Sequence, residues 1–130
     1  MNNALIESLI IAHMKAWPKF QPARFAEDNI NFTDKPLDGI WYRLTVQHGV
    51  NLMLGMANEP CTRELGAVVI QIFYPNNKRT ESVKRLADSL GTHFQYYRDG
   101  KLELMTASVI NVPERENGYQ INVRIPYRYN

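Results

Sequence analysis

Three histidines, one cysteine and two clusters of acid beside lysine are the side chains of this 130-residue chain whose types could do chemistry. His13, His48 and His93 could ligate a metal or carry protons. They fall in different segments, and none has the His, Cys or carboxylate spacing of a metal site, so each reads as structural or surface. Cys61 could be a nucleophile, but an active thiolate needs a base or a cationic neighbour and no histidine stands near it in the sequence. It reads as a neutral loop thiol. Asp34-Lys35 and the Asp99-Gly100-Lys101 to Glu103 segment place acids beside lysines, as a Mg²⁺-dependent nuclease would for binding the ion and stabilising charge. Both clusters sit at turns, where Asp and Gly serve backbone geometry instead. No nucleophile elbow, phosphate-binding glycine loop or dinucleotide fingerprint occurs. The expectation is a protein with no catalytic residue, no metal and no cofactor, one that is not an enzyme.

Composition narrows the alternatives. Hydrophobic residues at 45% and charged residues at 22% are globular values, and the length suits one domain spanning residues 1–130. A formal charge of +2 argues against a dedicated nucleic-acid binder, and Glu81 and Asp88 interrupt the basic cluster Lys78, Arg79, Lys84 and Arg85 as on a solvated helix face. Trp41, Tyr42, Tyr74, Tyr96, Tyr97, Tyr119, Tyr127 and Tyr129 could stack bases, but most occupy positions expected to face a core. A lone cysteine excludes an internal disulfide and fits a reducing compartment. The start MNNALIESLIIAHMKAW has no basic region ahead of its apolar stretch, which Glu7 and Ser8 break, so it reads as neither signal peptide nor membrane span.

The elements follow from periodicity. Leu5, Ile6, Leu9, Ile10, Met14 and Trp17 form a helical stripe that Asn3 can cap and Pro18 must end. Pro18 to Asp38 reads as a long irregular connection tacked down by Phe20, Phe25, Ile30 and Phe32. Ile40, Tyr42, Leu44 and Val46 alternate as in a half-buried strand, with a hairpin partner expected in Leu52–Ala57 after His48-Gly49. Asn58 to Glu64 reads as an exposed loop. Val68 to Tyr74 is continuous enough for a central strand covered on both faces. Thr80 can cap a second helix carrying Val83, Leu86, Ala87, Leu90, Phe94 and Tyr97. After the Asp99-Gly100 turn comes a strand over Leu102–Val112, then the loop Glu114–Gly118 and a last strand, Tyr119 to Tyr129. Pro126 donates no hydrogen bond, so that last strand is expected to lie at an edge or to fray there. The fold class expected is α+β: a mainly antiparallel sheet of four to five strands with two helices packed on one face, in the order α-β-β(-β)-α-β-β.

A domain without an active site works by presenting surfaces. Two are expected: the exposed series Gln120, Asn122, Arg124 and Arg128 on the last strand, and Arg63 with Glu64, able to pair across a subunit boundary.

The runs FTDKPLDGIWYRLTVQHG (Phe32–Gly49), GAVVIQIFYPNN (Gly66–Asn77) and the terminal NVRIPYRY resemble a family of small phage and prophage proteins with a tail-terminator-like fold, also called tail completion proteins. The resemblance spans roughly residues 18–130 and rests on structural blocks. It implies helices on an antiparallel sheet and a homo-oligomer, a hexameric ring, that caps the head-proximal end of the tail tube and offers the head its docking surface. The implied partners are further copies of the chain, the tail tube protein and a head-tail connector protein, with no membrane and no specific nucleic acid, DNA passage through the ring aside. The implied place is the virion tail, assembled in the bacterial host cytoplasm. A neighbouring connector component of the neck, or a small nucleic-acid-binding domain or nuclease, are the alternatives.

Overall fold

Helix α1 (Asn3–Lys15) forms where the stripe predicts it, but buries a narrower face: Ile6, Ile10 and Met14, one turn apart, are inaccessible, whereas Leu5 is exposed. Asn3 does not cap it. The preceding Asn2 occupies that position without a side-chain cap bond, because its amide nitrogen donates instead to Glu64 Oε2 at 3.2 Å. The computed structural model describes residues 2–27, 39–54, 61–75, 80–115 and 118–129.

After Trp17 the chain is not simply irregular. A 3₁₀ turn over Pro22–Arg24 leads into strand β1 (Phe25–Glu27), which runs parallel to strand β2 (Trp41–Leu54), with Phe25 opposite Tyr42. Three residues carry too little alternation to announce a strand. What places them is tertiary: Phe20, Phe25 and Tyr42 form an aromatic cluster, and the Tyr42 hydroxyl accepts from Gln21 N at 2.9 Å. Ile30 and Phe32 lie outside the described residues.

β2 is longer than its alternation suggests. Leu52 belongs to it rather than to a partner strand, and the true partner is β3 (Cys61–Tyr74), antiparallel from Trp41 opposite Phe73 to Leu54 opposite Cys61. Cys61 to Glu64 are therefore strand, not loop. Two glycines mislead the sequence reading here. Gly49 follows His48, where the register shifts, and a Cβ on it would sit 2.7 Å from the Leu65 carbonyl; one on Gly66 would sit 2.2 Å from the Gln47 carbonyl. They permit close strand approach at a bulge and do not reverse the chain.

Helix α2 (Thr80–Phe94) buries Val83, Ala87, Leu90 and Phe94 as expected; Tyr97 lies beyond its end. Gly91 is accommodated because a Cβ there would meet the Ala107 methyl at 3.3 Å. Strands β4 (Arg98–Asp99) and β5 (Leu102–Leu104) form a small hairpin about Gly100, whose φ of 60° suits glycine. β6 (Ser108–Arg115) and β7 (Gly118–Tyr129) complete the sheet.

The strand order is β1-β2-β3-β7-β5-β4, with β6 also on β7. Among the described residues the sheet thus has seven strands rather than four or five and is mixed, through the parallel β1-β2 pair; the two helices described there lie on one face as expected. α1 approaches β2 and α2 lies over β7, β6 and β3. Between them Tyr42, Ile70, Ile72, Phe94, Ile121 and Ile125 form the centre of one apolar cluster. Burying each contributes roughly 1.5–3 kcal/mol.

β7 is interior, not an edge, despite Pro126. Met105 N donates to the Pro126 carbonyl at 2.8 Å, so the backbone of residue 126 faces β5 and β6 and not β3. There the edge breaks. Leu104 pairs with Tyr127 but Ser108 pairs with Arg124, a one-residue slip, and the Met105 carbonyl, which an N–H at residue 126 would otherwise meet, accepts from Tyr96 N at 3.4 Å. The proline divides the expected Leu102–Val112 strand into β5 and β6 and leaves the central β3-β7 ladder intact.

Candidate functional site

Register decides which side chains share the face turned away from the helices. β2 contributes Trp41, Arg43, Thr45 and Gln47; β3 contributes Arg63, Val69, Gln71 and Phe73; β7 contributes Gln120, Asn122, Arg124 and Arg128. β6 adds Ser108, Ile110 and Val112, and β5 adds Glu103. Among the described residues no helix packs on this face, so the expectation that Val68–Tyr74 is covered on both sides fails: Val69, Gln71 and Phe73 are only half-buried.

Five of the six residues expected to form a surface lie on this face, brought to it by adjacent strands. Arg124 is exposed and Asn122 half-buried. Arg128 is engaged: its Nε and Nη2 both lie 2.5 Å from Glu103 Oε2. Gln120 is not exposed at all. It is 2% accessible, its amide nitrogen donates to Asn122 Oδ1 at 2.6 Å, and its own carbonyl oxygen is buried with no partner. Arg63 is on the same face, half-buried, while Glu64 points the other way. At 6% accessible, Glu64 accepts from the backbone and side chain of Asn2. Sequence reasoning missed Arg43, because one cation in an alternating strand looks like any solvated residue. Its Nε is buried without an acceptor and its guanidinium lies 5.7 Å from the centre of the Trp41 ring, which stacks on Phe73 at 4.2 Å.

The histidines, expected to be separate, are not all so. His13 of α1 and His93 of α2 stack at 3.9 Å, and Tyr97 stacks on His13 at 3.6 Å. Burial holds the His13 pKa below its usual value, and the neighbouring His93 lowers it further. His48 joins a chain across three elements: Nε2 is 2.9 Å from Glu7 Oε1 and Nδ1 is 2.8 Å from the Tyr127 hydroxyl. The Glu7 carboxylate can only accept, which puts a proton on the Nε2 facing it and leaves Nδ1 to accept from the Tyr127 hydroxyl. Tyr127 is raised above the ordinary phenol range by burial, then by Glu64 and Glu7. It is buried, so this arrangement locks α1 to the sheet rather than exposing a nucleophile. Among the described residues no three His, Cys, Asp or Glu side chains gather to hold a metal, and no helix is long and apolar enough to cross a membrane. The Asp34-Lys35 cluster lies outside the described residues. Glu103 is turned to Arg128 and Arg98, and Asp99 to the Tyr97 hydroxyl, so the second acid cluster does not converge.

Compared with known proteins, residues 5–127 match the family model described as phage tail terminator protein. The chain belongs to the phage tail terminator family. Membership makes it a structural component of a phage tail, and implies contact with other tail and head components of the virion. No curated protein matches the sequence. A solved structure whose name states no activity matches with a TM-score of 0.73 at 17% identity, covering 100% of this chain and 96% of that one. At that identity it shows a shared fold alone. For this terminator-family chain, the pattern that could have revealed the site was the placement of Arg43, Arg63, Arg124 and Arg128 at same-face positions, readable only once the strand register is known.

Proposed function

We propose that the protein is a tail terminator that assembles into a hexameric ring, caps the head-proximal end of the tail tube, stops addition of tube protein and presents the surface on which the head connector docks. The observation that carries this is the family match over nearly the whole chain. Closing a ring of identical subunits requires two different patches on each one. Of the expected interface residues, Arg124 is exposed and Arg63 and Asn122 are half-buried on the open face, while within the subunit Glu64 accepts from Asn2, Gln120 donates to Asn122 and Arg128 pairs with Glu103. No bond is made or broken in this role, which needs no cofactor.

Electron microscopy of particles from a phage or induced prophage lacking this gene tests the reading. Overlong or unjoined tails are expected. Normal-length tails beside separate filled heads would move the protein to the neck connector, and unchanged virions would overturn an assembly role altogether.

A further inference from the structure

The outer edge of β6 is open. The backbone of residue 126 faces β5 and β6, and the β3-β7 ladder runs without a shift from Tyr119 to Tyr129, so Asn122 and Arg124 turn their peptide groups the same way. Their partners Ile110 and Ser108 therefore bond to β7, and the N–H and C=O groups of the alternate residues Val109 and Asn111 point outward. Among the described residues no strand lies beyond them. Ser108, Val109, Ile110 and Asn111 are all exposed, Val109 at 41% and Ile110 at 48%.

Native edges are usually guarded by charge, lysine above all, yet Thr106 to Val112 holds no charged residue. The window is closed at its ends instead. Gln95 Oε1 accepts the Ala107 N–H at 3.3 Å, β4 occupies the lane outside β5, and Pro113 has no N–H to offer. We propose that this edge pairs with the same edge of a second copy of the chain, antiparallel, about a two-fold axis at Ile110.

Self-complementarity selects that occupant. Ala107 and Pro113 lie three residues before and three residues after Ile110, so the two-fold sets against each other the positions that have no donor to give. Between them each Val109 meets the other copy's Asn111, and the pair exchanges both N–H···O=C bonds. Moving the axis by one residue breaks this. Centred on Val109, it sets Asn111 against Ala107, whose N–H is taken; centred on Asn111, it sets Val109 against Pro113. At the axis Ile110 packs on Ile110 as a pair without mutual hydrogen bonds, about 4.5 Å between Cα atoms. That contact covers an apolar side chain the subunit leaves in water. A strand of another protein could use the same peptide groups, but the symmetric placement of the two stops matches a copy. Two-fold pairing gives a closed dimer, a different contact from the head-to-tail one that closes a ring, so the proposal stands independently of the terminator reading.

The test follows purified full-length protein by sedimentation and by amide hydrogen exchange over a range of concentrations. A monomer–dimer equilibrium is expected, with the Val109 and Asn111 amides exchanging at least about tenfold more slowly once the dimer forms. Slow exchange in the monomer at every concentration would show that the edge is covered within the subunit. Fast exchange at every concentration would show that no copy pairs with it, and either result overturns the proposal. So would amides that slow only when tail tubes from particles lacking the protein are added, which would assign the edge to a tail component. Ile110→Lys, at an exposed position, should fold and stay monomeric, because it sets two ammonium groups side by side at the axis. An undiminished dimer in that variant would place the contact elsewhere. In a Cys61→Ser background, Ile110→Cys is expected to oxidise to a covalent dimer, since about 4.5 Å between Cα atoms suits a disulfide. Ser108→Cys, also exposed but at least about 13 Å from its counterpart in this register, should not. Equal cross-linking at the two positions would overturn the two-fold at Ile110.

Discussion

His13 and His93 hold each other by the backbone: each Nε2 lies 2.8 Å from the other's carbonyl oxygen, and the rings stack within 8° of parallel. Carbonyls only accept, so both Nε2 atoms carry protons. The pair ties the C-terminal turn of α1 to that of α2.

The pair should make the fold acid-sensitive. Burial, then His93, lowers the folded pKa of His13 below its ordinary 6.5, opposed by the His93 carbonyl and Asp99. The unfolded state then binds the proton more readily, so this contribution is fully present above pH 6.5 and is lost as pH falls from there through the lower folded pKa. Urea denaturation at pH 7.5 and pH 5.5 should show lower stability at the acid end. In His13→Gln the acid loss should shrink, and an unchanged pH dependence in that variant would show that the pair is not its source.

Gly66→Ala should be severely destabilising. The added methyl would stand 2.2 Å from the Gln47 carbonyl and 2.5 Å from the Tyr127 ring, and neither a ladder backbone nor a buried ring can move freely. A loss of about 3 kcal/mol or a register slip is expected from such overpacking. Gly100→Ala, with φ 60° and no atom within 4 Å, should cost only about 1 kcal/mol from its backbone conformation. Comparable thermal midpoints for the two would contradict this account.

Core and face should separate cleanly. Ile70→Ala, at a fully buried position, is expected to lose about 2–5 kcal/mol by cavity formation. Arg124→Glu, exposed, should stay within about 0.5 kcal/mol of wild type in the same denaturation experiment. If Arg124→Glu unfolds the protein, that residue supports the subunit and not its contacts.

Tyr127 reports on the carboxylates at the end of the sheet. Because Glu64 is the second cause raising its pKa after burial, Glu64→Gln should lower the midpoint of one tyrosinate transition in ultraviolet absorbance titration. A titration curve that superimposes on wild type would exclude the coupling.

The helices and the main strands were legible in the chain because each carries one apolar face that must be buried: Ile6, Ile10 and Met14 at helical spacing, Tyr42 and Leu44 or Ile121 to Tyr127 at every second residue. The functional family was legible too, since its blocks coincide with β2, β3 and β7. Less was legible at the short elements. β1 has three residues and no period, and β5 and β6 look like one run until Pro126 is seen facing them.

By itself, then, the sequence determined the helix stripes, the strand alternation, the α+β class and the family, all properties set by local periodicity and recognisable blocks. The tertiary structure alone decided strand order and register, and with them the rest. Register places Arg43, Arg63, Arg124 and Arg128 on one face though up to 85 residues separate them, counting from 43 to 128. It also buries Gln120 and Glu64 and brings His13 to His93. These depend on contacts between segments far apart in the chain, which alternation within one segment cannot encode.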